Sequence, residues 1–163
     1  MEDILYAPWR DEYIKQKVDG CVFCHISKNI DLDDTHYVLY RDEKCFVVMN
    51  RYPYTPGHFM IIPHTHTDKL ESLDQDIWLH MSLLAQKGVK LLKDELRAEG
   101  VNIGMNLGAM AGAGIAEHIH LHLVPRWSRD TNFITSVANT RVYSTDFERI
   151  FKKLKSSSSS FEK

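Results

Sequence analysis

The apolar positions of this chain change spacing along its length, and each change marks an element. Residues 36–40 and 45–49 are short β-branched and aromatic runs separated by the polar turn Arg41, Asp42, Glu43 and Lys44, which predicts a β-hairpin. An irregular connection with two prolines fills 50–56, and residues 57–62 resume as a third strand that Pro63 ends. From Ile77 the period becomes helical, with apolar side chains at Met81, Leu84, Leu91 and Leu92. Ser72 and Gln75 are spaced as a capping box and Gly100 as a stop, so one long amphipathic helix is expected over 72–99. A fourth strand at 101–106 leads into a glycine-rich turn at Gly108, Gly112 and Gly114.

Strict alternation then follows in His118-Ile119-His120-Leu121-His122-Leu123-Val124. Successive side chains of a strand point to opposite faces, so three imidazoles share one face while Ile119, Leu121 and Leu123 hold the other to a core. Pro125-Arg126-Trp127 is expected to stop this strand. The ends read more simply. Residues 1–20 form an extended arm carrying Tyr6 and Trp9, with a short helical turn at 11–17; the arm packs on the domain or on a partner subunit. Residues 28–35 are an acidic surface loop, 128–142 are mostly loop, 146–155 a terminal helix, and the serine run within 156–163 a frayed, disordered tail. The whole predicts one α+β domain over 1–155: arm 1–20, cysteine-pair segment 21–35, core 36–127 and extension 128–155, built on about five largely antiparallel strands, the long helix and the C-terminal helix.

Composition narrows the function classes. With 163 residues, 44% hydrophobic and 26% charged, the chain can bury its own core. A net charge of −2 offers no basic excess for nucleic acid, so any nucleotide ligand is small. The first residues lack a basic region and a long apolar run, and no stretch approaches the roughly 18 apolar residues of a membrane span, which predicts a cytoplasmic protein without membrane attachment. In that compartment Cys21 and Cys24, spaced C-x-x-C, read as metal ligands or a redox pair rather than a structural disulfide, and Cys45 as core.

Glycines before an imidazole row let backbone N–H groups approach an anion, because no side chain intervenes. A neutral imidazole can attack phosphorus directly and form a covalent phosphoramidate, splitting one hard displacement into two easier ones. That chemistry needs the attacking ring's other nitrogen held as a donor and a second imidazole beside the leaving group. Two other readings compete: a solvated histidine row on an edge strand, and a metal bound by all three imidazoles, which would make a hydrolytic metalloenzyme or a metal-binding module. Same-face residues on a strand are about 6.6 Å apart, which places the outer two poorly for sharing one ion.

Three linked segments, Asn50-Arg51-Tyr52-Pro53-Tyr54-Thr55-Pro56-Gly57-His58, Ile62-Pro63-His64-Thr65-His66 and Gly114 through Val124, resemble the histidine triad (HIT) superfamily of nucleotidyl hydrolases and transferases. Ala7-Pro8-Trp9-Arg10 and the stretch from Pro125 to Phe133 look like the branch acting on dinucleoside polyphosphates, the fragile-histidine-triad-like hydrolases and the diadenosine tetraphosphate phosphorylases. The resemblance implies that His120 is the nucleophile and that His122 and His58 bind phosphate or assist the leaving group. It implies that Asn50 meets the ribose, that Asn106 and the Gly112, Ala113, Gly114 and Ile115 backbone meet the phosphates, and that adenine lies against the first hairpin. Adenine dinucleoside polyphosphates and AMP are the implied ligands, with Mg²⁺ accompanying the substrate, and two domains join their sheets as a homodimer.

One position departs from the family pattern. Four residues before His118, where relatives often carry a hydroxyl or amide side chain, stands Gly114. The missing contact favours hydrolysis, with phosphorolysis as the alternative and a nucleotide-binding signalling protein of little turnover as a third class. Cys21 and Cys24 with His66 and His118 supply two thiolates and two imidazoles for a tetrahedral structural zinc. Many members of the superfamily, and the related sugar-phosphate uridylyltransferases, resemble that arrangement.

Overall fold

The computed structural model describes residues 20–128 and 145–162. The expected N-terminal arm and most of the segment after Trp127 lie outside them. Helix α1 (Val22–Lys28) precedes strands β1 (Val38–Arg41), β2 (Cys45–Met49) and β3 (Phe59–Pro63); α2 (Gln75–Leu96) leads to β4 (Gly100–Gly104) and β5 (Leu121–Arg126), and α3 (Phe147–Ser156) follows. The strands form one antiparallel sheet in the order β1-β2-β3-β5-β4. This is the α+β architecture that the periodicity predicts.

The sheet's two faces are covered unequally. Cys45, Val47, Met49, Phe59, Ile61, Leu121 and Leu123 point to one face and pack under Met81, Leu84 and Leu92 of α2 and Ile150, Phe151 and Leu154 of α3. Val38, Phe46, Val48, Met60 and Ile62 point to the other, under Phe23 and Ile26 of α1. Strands β2 and β3 are therefore buried on both sides and read as unbroken apolar runs. Strand β5 alternates buried and half-buried residues, because the seven residues of α1 cover only part of that second face. The half-buried set is His122, Val124 and Arg126.

Helix α2 approaches the sheet most tightly at Gly88, where a Cβ would lie 2.8 Å from Leu123 and 2.9 Å from Phe59. Gly57 combines a left-handed φ of +85° with a site where a Cβ would lie 2.3 Å from Leu96, so only glycine fits the turn that delivers His58.

Several boundaries differ from the sequence expectation. Asp74 rather than Ser72 caps α2: its carboxylate accepts from the Asp76 N–H at 2.8 Å, while Ser72 sits in a 3-10 turn. The helix ends at Arg97, whose φ of +53° closes it, and Gly100 instead opens β4. Regular pairing in the last strand begins at Leu121, so His118, Ile119 and His120 lie ahead of it, and Pro125 and Arg126 belong to it rather than stopping it. Pro125 is tolerated because β3 pairs with β5 only as far as Leu123, and beyond it the Pro125 carbonyl accepts from Thr55 Oγ1 instead. The serine tail is not frayed through 162: Ser158–Phe161 forms a 3-10 turn that puts Phe161, 1% exposed, against Tyr40 and Phe59. One buried aromatic ring outweighs the flexibility that the serine composition suggests.

Candidate functional site

The local chain dictates where each imidazole goes. His58 precedes β3 on the same face as Met60, and Met60 pairs with His122 of β5, so the two histidines become neighbours across the sheet. His58 Nε2 and His122 Nδ1 are 2.9 Å apart, and the His120 and His122 ring centroids 4.9 Å. Asn50 closes the preceding loop. Its backbone N–H donates to His58 O at 2.9 Å and its side-chain oxygen accepts from Tyr52 N–H at 2.9 Å.

These contacts fix the tautomers, as inferred from the network. The Tyr54 N–H donates to His58 Nδ1 at 3.2 Å, so the His58 proton sits on Nε2 and is donated to His122 Nδ1. His122 then carries its own proton on Nε2. His120 donates from Nδ1 to the His118 carbonyl at 2.8 Å, which leaves the Nε2 lone pair of His120 bare. His118 donates from Nε2 to the Pro63 carbonyl at 2.9 Å and presents a bare Nδ1. One end of the array thus offers a nucleophilic nitrogen and its neighbour offers a proton.

Electrostatics keep the rings neutral. Burial, reinforced by the neighbouring His122 and His120, pushes His58 down to about 3. Burial and His120 push His122 down to about 4. Burial likewise lowers His120, against the opposing pull of its bond to the His118 carbonyl. Each is an electrically neutral imidazole near neutral pH, the state that nucleophilic attack on phosphorus requires.

His118 turns away from this group. Its Nδ1 lies 3.3 Å from Cys21 Sγ, 3.7 Å from Cys24 Sγ and 3.3 Å from His66 Nδ1, and His66 Nδ1 lies 3.2 Å from Cys24 Sγ. The four ligand atoms all fall within 4.8 Å of one another. Tetrahedral zinc with bonds of about 2.0–2.3 Å separates its ligands by roughly 3.3–3.8 Å, so the spacing and the donor set both fit. The His118 bond to Pro63 supplies the carbonyl support typical of a ligating imidazole. Sharing of one ion by His118, His120 and His122 is excluded, because His118 faces the thiols and His122 faces His58. His64 also leaves the metal group: it contacts Ser27 Oγ at 2.7 Å and donates to the Asp42 carbonyl at 2.9 Å.

The glycine-rich segment is less open than its composition suggests. The Gly112 N–H donates to Ala109 O and the Ala113 N–H to Gly108 O, so both are used within the loop, and Asn106 Nδ2 reaches Gly112 O at 3.5 Å. Ile115 packs against the α1 cluster, and among the described residues a Cβ at Gly114 would meet nothing within 4 Å. Two site residues escape sequence reasoning. Phe23 lies 5.1 Å from the His120 ring and 5.6 Å from His118, and Tyr54 lies 4.8 Å from His58. Phe23 stands inside the C-x-x-C and Tyr54 inside the proline loop, positions whose partners only the fold reveals.

The chain is similar to known proteins in both sequence and structure. The chain is 39% identical over 110 residues to a protein of Mycobacterium tuberculosis named AP-4-A phosphorylase; the match covers 68% of this chain and 56% of that relative, so the chain spans little more than half its length. Its structure is similar to that of a Zn-bound histidine triad family protein from Mycobacterium smegmatis, with 30% identity, a TM-score of 0.70 and coverage of 88% of this chain and 96% of that one. A hypothetical histidine triad nucleotide-binding protein from Sulfolobus tokodaii follows at 28% identity and a TM-score of 0.68, covering 87% and 92%. The HIT domain family model matches residues 32–129, and the chain belongs to that family.

Proposed function

We propose that the protein cleaves a phosphoanhydride bond of dinucleoside polyphosphates by nucleotidyl transfer through His120. The observation that carries this reading is the pair of locked tautomers: a bare Nε2 on His120 beside an Nε2–H on His122. The His120 nitrogen forms a bond to the innermost phosphorus while the P–O bond to the remaining phosphates breaks. The electron pair departs on that oxygen, which leaves as a phosphate anion steadied by a hydrogen bond from the His122 N–H. In the second step water forms the new P–O bond, the N–P bond breaks with its electron pair returning to His120, and the surplus water proton leaves to solvent. Little covalent chemistry is asked of the protein beyond positioning and hydrogen bonding. His58 holds the orientation of His122, Asn50 meets the ribose, and Asn106 with the Gly112 to Ile115 segment meets phosphate.

Water is the acceptor in this reading because Gly114 places no side chain beside the site. A second reading, with inorganic phosphate as acceptor, is favoured by the relative named AP-4-A phosphorylase. Incubation with diadenosine tetraphosphate separates them: AMP with ATP signifies hydrolysis, and ADP formed only when phosphate is added signifies phosphorolysis. Mass spectrometry of protein quenched during turnover tests both, since each requires a nucleoside monophosphate adduct on His120. A protein that binds nucleotide without forming that adduct sinks the enzyme reading.

Cys21, Cys24, His66 and His118 hold zinc in this account, a structural ion tying α1 to the sheet, as supported by the ligand spacing and by the Zn-bound relative. Elemental analysis is expected to give one zinc per chain. Among the described residues the His, Cys, Asp and Glu ligand atoms gather only at this cluster, so the reading gives Mg²⁺ no protein site. No helix of the described residues is long and apolar enough to cross a membrane, and the reduced thiols that the ion needs suit the cytoplasm. The protein pairs as a homodimer through β4. That strand ends the sheet, and its Ile103 is about half exposed. Sedimentation of Ile103→Lys against the parent chain tests the pairing.

A further inference from the structure

The open part of the sheet face does not end at the imidazoles. Alternation carries it along β5 from His122 through Val124 to Arg126, and β4 lies alongside with Gly104 opposite His122 and Asn102 opposite Val124. Among the described residues a Cβ at Gly104 would meet nothing within 4 Å, so β4 leaves space beside His122. Tyr54, Asn102, Val124 and Arg126 line an open groove of about 490 Å³. Tyr54 joins groove to site, its ring centroid being 4.8 Å from His58 and 6.1 Å from His122.

We propose that this groove receives the nucleoside of the leaving group, its base lying against the Tyr54 ring and Val124 and its polar edge meeting Asn102 and Arg126. The proposal rests on nucleotidyl transfer through His120 and specifies the second half of that substrate. Direction is the first argument. Phe23 of α1 stands 5.1 Å from His120 and closes that side, while the proton donor His122 lies on the other. A leaving oxygen held by the His122 N–H therefore sends the rest of its chain towards Val124. Length is the second. Arg126 lies four positions beyond His122, about 13 Å at the rise of a strand, room for a nucleoside and its adjoining phosphates. Chemistry is the third. An aromatic ring and a branched apolar side chain suit the faces of a base, and an amide with a guanidinium suits its hydrogen-bonding edge. The Arg126 Nη1 donates to Asn102 Oδ1 at 3.1 Å, which fixes the orientation of that amide.

The test fills the groove without touching the imidazoles. Val124→Trp and, independently, Asn102→Leu at an exposed position are assayed with diadenosine tetraphosphate and with adenosine 5′-tetraphosphate, which has the same phosphate chain without the second nucleoside. Loss of a stacked base is worth about 1–3 kcal/mol, so Val124→Trp is expected to lower kcat/KM for the dinucleotide by about tenfold or more. Asn102→Leu, losing one hydrogen-bonding group, is expected to lower it by a smaller factor. Turnover of adenosine tetraphosphate and the Kd for AMP stay unchanged in both. Equal losses on the two substrates, or no loss on either in a folded Asn102→Leu protein, overturn the groove assignment and leave nucleotidyl transfer standing. A parent protein that turns over neither substrate overturns nucleotidyl transfer itself.

Discussion

The two faces of this sheet obey different rules. Under α2 and α3 the face is filled by interlocking apolar side chains, so tightly that a glycine is needed at position 88 for the helix to sit down. The opposite face is covered by a helix only beneath α1; beyond it lie His58, His122, Val124 and Arg126. Close packing on one side makes the backbone rigid, and that rigidity holds imidazole nitrogens at hydrogen-bond distance on the other. Substitutions on the first face are therefore expected to change stability and spare chemistry, and substitutions on the second to do the reverse.

The strongest break of this division is His120→Ala. It is expected to lower turnover at least about a thousandfold, by analogy with the loss of other covalent nucleophiles, while Kd for AMP and Tm change little. Steady-state kinetics with calorimetry decides it, and retained turnover removes His120 from the mechanism. Leu92→Ala on the packed face is expected to cost about 2–5 kcal/mol in urea denaturation and to leave kcat near the parent value while the protein is folded. Gly88→Val in the same layer is expected to cost about 1–3 kcal/mol by overpacking, since the Leu123 and Phe59 contacts have no slack.

Acid sharpens the comparison, because the neutral imidazoles on the chemical face reduce stability there. His58 at about 3 and His122 at about 4 both lie below the ordinary histidine value of 6.5. Between those limits the unfolded chain binds protons that the native state refuses, so stability is full above pH 6.5 and falls as pH drops towards 4. Urea midpoints measured at pH 7, 5.5 and 4.5 are expected to decline in that order, and less steeply in His122→Gln; a flat profile contradicts the neutral array. Asp42 contributes a smaller effect away from the site. Burial pushes its carboxyl up, but the His80 hydrogen bond at 2.6 Å and the N–H groups of Cys45 and Lys44 outweigh burial and hold it below the ordinary value. Asp42→Asn is expected to cost about 1–3 kcal/mol at neutral pH, with unchanged kinetics.

Much of this was legible in the chain. The apolar run at 45–49, the long helical period after Ile77 and the terminal helix capped by Asp146 all form, and the third strand, expected over 57–62, runs Phe59–Pro63. Boundaries were less legible because neighbouring residues compete for the same role. Asp74 displaces Ser72 as a cap, and Arg97 adopts the left-handed conformation before Gly100 is reached. The alternation at 118–124 groups three imidazoles on one face, yet it treats as equivalent three rings that the fold makes two kinds. A strand pattern records which face a side chain leaves from and carries no information about the ring nitrogen's partner.

What the sequence determined by itself was periodicity and inventory: which segments are strands or helices, which face is apolar, and that imidazoles, thiols and glycines are at hand. These follow from nearest-neighbour geometry, which repeats every 2 or 3.6 residues and can be read locally. The tertiary structure decided the assignments. It sent His118 to Cys21, Cys24 and His66 across separations of 97, 94 and 52 residues, and it brought His58 to His122 across 64. It also left β5 half covered because α1 is short. Those outcomes depend on register and on which helix lies over which strand, quantities fixed only when the whole core closes.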